Sequence, residues 1–104
     1  MKYRVEITRC YSINVVDENG ERMFRENSYE INKRDAKEEG RELLGNVIWS
    51  RIDDSETLEE LEQLADLIEE CVQVKAITKK QYKYLIEDLE CKESEIALKE
   101  VSSL

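Results

Sequence analysis

Gly45-Asn46-Val47-Ile48-Trp49-Ser50-Arg51-Ile52 is the stretch on which the fold turns. Joined to the residues before it, it continues a pattern: Ala36, Gly40, Leu43, Leu44, Val47, Ile48 and Ile52 recur at steps of three and four, the spacing of one helix face. That reading gives one helix over residues 33–52. Taken alone, the Val, Ile and Trp favour extended backbone, Gly45 suits the position just past a helix ending at Leu44, and residues 46–52 become a third strand. The longer periodicity favours the helix. The choice also decides Trp49, the one tryptophan. In a helix it falls off the apolar stripe beside Asn46 and Ser50, where an exposed Trp serves as a binding anchor. In a strand it joins Val47 in the core.

Upstream, residues 3–15 alternate with period two, which reads as one long half-buried strand. Tyr3, Val5, Ile7, Arg9, Tyr11, Ile13 and Val15 lie on one face. Asp17-Glu18-Asn19-Gly20 then turns the chain. A two-residue Asn19-Gly20 turn pairs Val15 with Phe24 and buries Glu26 and Glu30. A three-residue Glu18-Asn19-Gly20 loop, with Gly20 left-handed, pairs Val15 with Met23 and Ile7 with Ile31. The second keeps apolar residues on one face, and a one-residue slip would reverse that. The hairpin is therefore expected over residues 2–31. Asn32 caps the helix that follows, with Ile31 and Ala36 at hydrophobic-staple positions.

Downstream, Thr57 and Glu60 form a Thr-x-x-Glu capping box, and Leu58, Leu61, Leu64, Ala65, Ile68, Cys71 and Val72 make an apolar stripe, giving a helix over 57–74. Thr78 and Gln81 form a second box, with Ile77 and Tyr82 as its staple, opening a helix over 78–101. The link of about three residues makes these two an antiparallel αα-hairpin. Past Cys91 the pattern weakens, and Ile96, Leu98, Val101 and Leu104 share no clean face. The expected fold is α+β, an N-terminal antiparallel β-hairpin packed on three helices, in a single domain over residues 1–104.

Charge is distributed unevenly. Nine carboxylates lie between Asp53 and Glu70, with no Lys or Arg from Ile52 to Val74. Residues 55–77 sum to −6, against −9 for the chain, and each remaining third sums to −1. A field so localised repels nucleic acid and anionic membrane and attracts basic protein surfaces. On the helix 57–74, Glu59, Glu62, Asp66 and Glu69 recur at steps of three or four and so stack about one turn apart, with Glu70 beside them. A turn rises ~5.4 Å, comparable to the phosphate spacing of a nucleic-acid strand. The ordinary explanation is a solvated helix face with acids suited to the positive end of the dipole. It covers Glu59 and Glu60, but not Glu69 and Glu70 near the other end. Lys75, Lys79 and Lys83 form a short basic stripe, read as balance for the acidic helix.

Other chemistry is excluded by composition. There is no histidine, hence no Ser-His or Cys-His pair and no imidazole metal ligand. Cys10, Cys71 and Cys91 are too far apart for a zinc site; they fit a reducing cytoplasm, and the two at helical spacings read as buried small hydrophobes. The three glycines form no phosphate-binding loop. The Asp17–Gly20 turn lacks the first ligand of a calcium loop, since Val15 stands there. No cofactor and no metal are expected. No signal peptide and no run of ~20 apolar residues is present, so a cytoplasmic protein is expected.

In size, acidity, lack of histidine and hairpin-plus-helices plan, the chain is similar to small phage-encoded inhibitors of nucleic-acid machinery, of the anti-CRISPR and anti-restriction kind. The similarity is one of type and covers no motif. It implies a non-enzymatic protein that sets its acidic helix against the basic, nucleic-acid-binding surface of a protein partner. Glu59, Glu62, Asp66, Glu69, Glu70 and Trp49 are the expected contact residues, with no direct nucleic-acid or membrane binding. The alternative is a homo-oligomeric structural or accessory protein of phage or bacterial origin, a homodimer in the simplest case.

Overall fold

Helix α1 (Lys33–Asp54) runs unbroken through the deciding stretch, so residues 46–52 are helix and not a third strand. The computed structural model describes residues 2–9, 12–23, 28–29 and 32–102. What holds 46–52 helical is burial: Ala36, Gly40, Leu44, Val47, Ile48 and Ile52 are buried on one face, so the three-and-four spacing overrides the strand preference of Val and Ile. Asn32 caps α1 by accepting from the Asp35 amide at 3.0 Å. At the other end, Ser55 folds back with its hydroxyl on the Arg51 carbonyl at 2.7 Å.

Gly45 does not end the helix. It lies under the side chain of Gln81, whose amide nitrogen would sit 2.7 Å from a Cβ built there. Gln81 uses that nitrogen to donate to the Arg41 carbonyl at 2.8 Å, while its oxygen accepts from the Thr78 amide at 2.8 Å. One side chain thus closes the capping box of α3 (Lys79–Ser102) and ties α3 to α1. The Thr57 box holds α2 (Leu58–Gln73) at its start, where the Thr57 hydroxyl accepts from the Glu60 amide at 3.2 Å. Here Glu60 reaches one residue further back than in the usual box, accepting from the Glu56 amide.

The long strand expected over 3–15 is two strands. β1 (Tyr3–Ile7) and β2 (Ser12–Asp17) pair antiparallel, Val5 against Val15 and Ile7 against Ile13. The reversal between them contains no Gly, Pro, Asn or Asp, which is why it leaves no mark in the sequence. Thr8 closes it instead: its amide donates to the Ser12 carbonyl at 2.9 Å and its hydroxyl accepts from the Ser12 amide at 3.1 Å. This register sets odd residues against odd, so the inward face survives in part: Ile7 and Arg9, expected on it, are exposed. Ile13 and Val15 are buried, and Tyr3 and Val5 pack on the core.

The second turn follows the three-residue reading. Gly20 has φ of 82°, the Asp17 carboxylate accepts from the Asn19 and Glu21 amides at 2.9 Å, and the Met23 amide donates to Val15 at 2.8 Å. Beyond it the register shifts. β3 (Ser28–Tyr29) sets Ser28 against Ile13 and Tyr29 against Ser12, and the sheet order is β1-β2-β3. Ile7 therefore faces Ile13 rather than Ile31, which lies outside the described residues along with Phe24, Glu26 and Glu30.

β1 and β2 pack on α1, and α2 and α3 pack on α1 and on each other. Leu44, Val47, Ile48 and Ile52 meet Leu61, Leu64, Leu67, Ile68, Ile77, Leu85, Leu89 and Ile96 in one core. α3 holds its helical form to Ser102, with Ile96 buried and Leu98 67 % exposed.

Candidate protein-binding surface

α2 buries Leu61, Leu64, Leu67, Ile68 and Cys71, and this fixes where its acids go. Glu59, Glu62, Asp66 and Glu69 occupy the opposite face and are exposed, as is Glu70 beside them. From Glu59 to Glu69 the row spans ~15 Å at the helical rise. Among the described residues, Glu59, Glu62, Asp66 and Glu70 carry no ion pair or side-chain hydrogen bond, and no base stands in the last turn of α2. Among the described residues nothing neutralises the row.

Glu69 differs from the others. The Tyr82 hydroxyl, on α3, donates a hydrogen bond to its carboxylate. This contact holds the Tyr82 pKa above its ordinary value, with slight desolvation and the carboxylate's charge adding to the effect. Glu69 therefore pins the end of the row to the neighbouring helix, and Glu59, Glu62 and Asp66 are its free members. Glu70 acts on Cys71, whose thiol is pushed up first by burial and then by that carboxylate. A buried thiol with raised pKa is unreactive.

Trp49 is half exposed, so the helical reading of its surroundings decides its fate and the core reading fails. It borders a shallow groove between α1 and α3, with Asp88, Cys91, Lys92 and Glu95. No acid of the α2 row lines that groove, so Trp49 belongs to a different surface patch. Cys91 is exposed there, against the expectation that it is buried; only Cys71 is, and Cys10 lies outside the described residues. Tyr84, Cys91 and Leu98 recur every seven residues along exposed α3, and Tyr84 and Leu98 are more than half exposed.

Lys75 also departs from expectation. It is not on a helical stripe with Lys79 and Lys83 but in the α2–α3 turn, with φ of 62°. The Lys75 amide donates to Val72 at 3.2 Å and the Ala76 amide to Cys71 at 2.8 Å, the paired bonds of a Schellman motif. Lysine here occupies the place where glycine is usual. Spacing gave no signal of this, because a Schellman ending without glycine has no composition mark.

Among the described residues no group of three His, Cys, Asp or Glu side chains is placed to hold a metal ion, and no helix is long and apolar enough to cross a membrane. No protein-family model, no curated protein and no solved structure matches the chain.

Proposed function

We propose that this is a non-enzymatic binding protein acting in the cytoplasm, whose α2 row docks on a basic, nucleic-acid-binding surface of a protein partner and blocks it. The observation that carries this reading is the row itself: Glu59, Glu62 and Asp66 stand exposed, one turn apart, without a cation or hydrogen-bond donor among the described residues. A helix face that merely needs solvation is ordinarily laced with lysines at i+4, which relieve like-charge repulsion. Leaving them out costs stability and creates a field that steers a basic partner on.

The experiment is affinity capture from a bacterial lysate, with mass spectrometry of the retained proteins, run with the wild type and with Glu59, Glu62, Asp66 and Glu69 all changed to Gln. The substitution keeps side-chain size and removes four charges. Capture of a nucleic-acid-handling protein by the wild type is expected to weaken as salt rises and to collapse in the variant. Equal capture by a folded four-Gln variant would sink the proposal.

The exposed Trp49, Tyr84 and Leu98 favour a second reading, self-association through the α1–α3 face. It predicts a dimer in sedimentation that persists at high salt and is lost on Trp49→Ala.

A further inference from the structure

The free edge of the sheet carries a second surface of opposite charge. β1 pairs only with β2 among the described residues. The bond from the Thr8 amide to Ser12 sets the phase of the ladder. Residues alternate in an antiparallel pair, so Arg4 and Glu6 bond to β2 and the backbone groups of Tyr3, Val5 and Ile7 point away from the sheet. Beside them runs an open cleft of about 490 Å³. Its floor is one face of α1, from Lys37 through Gly40 to Leu44, and its far wall is the turn from Val74 to Ala76.

The lining contains no carboxylate, in a chain of net charge −9, but includes Arg4, Lys37, Arg41 and Lys75. Arg4 is paired with Glu6 at 2.8 Å, and Arg41 holds the Lys75 carbonyl at 3.4 Å. Lys37 and Lys75 are exposed and carry no ion pair among the described residues. Apolar surface is available between these charges, with Ile7 37 % and Val74 68 % exposed. Lys75 is held over the cleft at the cost of a left-handed backbone.

We propose that this cleft binds an extended acidic segment of a partner protein, which adds as a strand along β1 and lies across α1. Three observations converge on that occupant: outward backbone groups at every second residue of β1, apolar contacts on both walls, and cations without acids. A small anion would match the cations but leave the strand edge and the two apolar walls unused. Proteins guard exposed edges with charge, yet Arg4 and Glu6 neutralise one another. The proposal is independent of the α2 row, which has the opposite sign and lies on another helix.

The test uses a capped, fluorescently labelled peptide, Glu-Thr-Val-Thr-Val-Thr-Glu, followed by anisotropy and by amide shifts of the ¹⁵N-labelled protein. Saturable binding is expected, with the largest shifts at Tyr3, Val5, Ile7 and Lys75. Lys37→Glu with Lys75→Glu should weaken it at least about tenfold, as should Lys in place of both peptide Glu residues. Ile7→Pro should abolish it, since an edge proline removes an outward donor without breaking the ladder. Circular dichroism checks the fold of each variant, and a peptide N-methylated on its pairing edge gives the same test on unaltered protein. Octanoate is the competing probe. Binding of the N-methylated peptide as tight as the parent's, octanoate shifts without peptide shifts at Tyr3, Val5 and Ile7, or no binding up to about 1 mM, would each overturn the proposal.

Discussion

Single side chains do more than one task in this small molecule, and Lys75 and Tyr82 show it best. Lys75 sits at φ of 62° in the Schellman ending of α2. A Cβ in that region costs about 1–2 kcal/mol, part of which glycine returns as unfolded-state entropy. Lys75→Gly should therefore stabilise the fold by about 0.5–1 kcal/mol in urea unfolding, an unusual direction for a change to glycine. Tyr82 makes the opposite kind of statement. Its hydrogen bond to Glu69 raises its pKa above the ordinary 10.0. An acid whose folded pKa is raised lends stability in full below the unfolded value and loses it as pH climbs through the folded one. Wild type should then lose stability above about pH 10 more steeply than Tyr82→Phe. Parallel pH profiles of the two melting temperatures would contradict the link.

At the scale of elements, α1 and the sheet are fitted at Gly40, where a Cβ would stand 2.6 Å from Val5 Cγ1. Alanine improves helix propensity by about 1 kcal/mol. Because Val5 belongs to a packed strand, the overlap should outweigh that gain, and Gly40→Ala should destabilise by about 1–2 kcal/mol. Adding Val5→Ala should recover part of the loss, giving non-additive chemical denaturation. Elements were legible where a periodic pattern or a cap wrote them. The three helices, both Thr-started caps and the Gly20 loop all stand as the residues imply. The turn at Thr8–Ser12 was hidden, since a threonine hydroxyl does the work usually left to Gly or Asn. The acidic face of α2 could be read from spacing, but its anchoring by Tyr82 could not, because that needs α3 laid alongside. The cleft of Lys37, Arg41 and Lys75 was invisible for the same reason: its residues come from a strand, a helix and a turn far apart in the chain.

Across the whole molecule, charge and shape are both one-sided. The described chain measures 55 × 26 × 17 Å, with a 24-residue α3 along much of its length. A row of free acids on α2 and an acid-free cleft by β1 give one protein two surfaces of opposite charge. Beneath both lies α1, the element against which β1, β2 and the two later helices are packed. That position has a consequence for cooperativity. Neither the sheet nor the αα-hairpin keeps its apolar face covered if α1 melts, so no half of the protein is a stable intermediate on its own. Unfolding should be a single all-or-none transition, in which Trp49 fluorescence, reporting α1, and the 222 nm helix signal, reporting all three helices, fall on one curve with one midpoint.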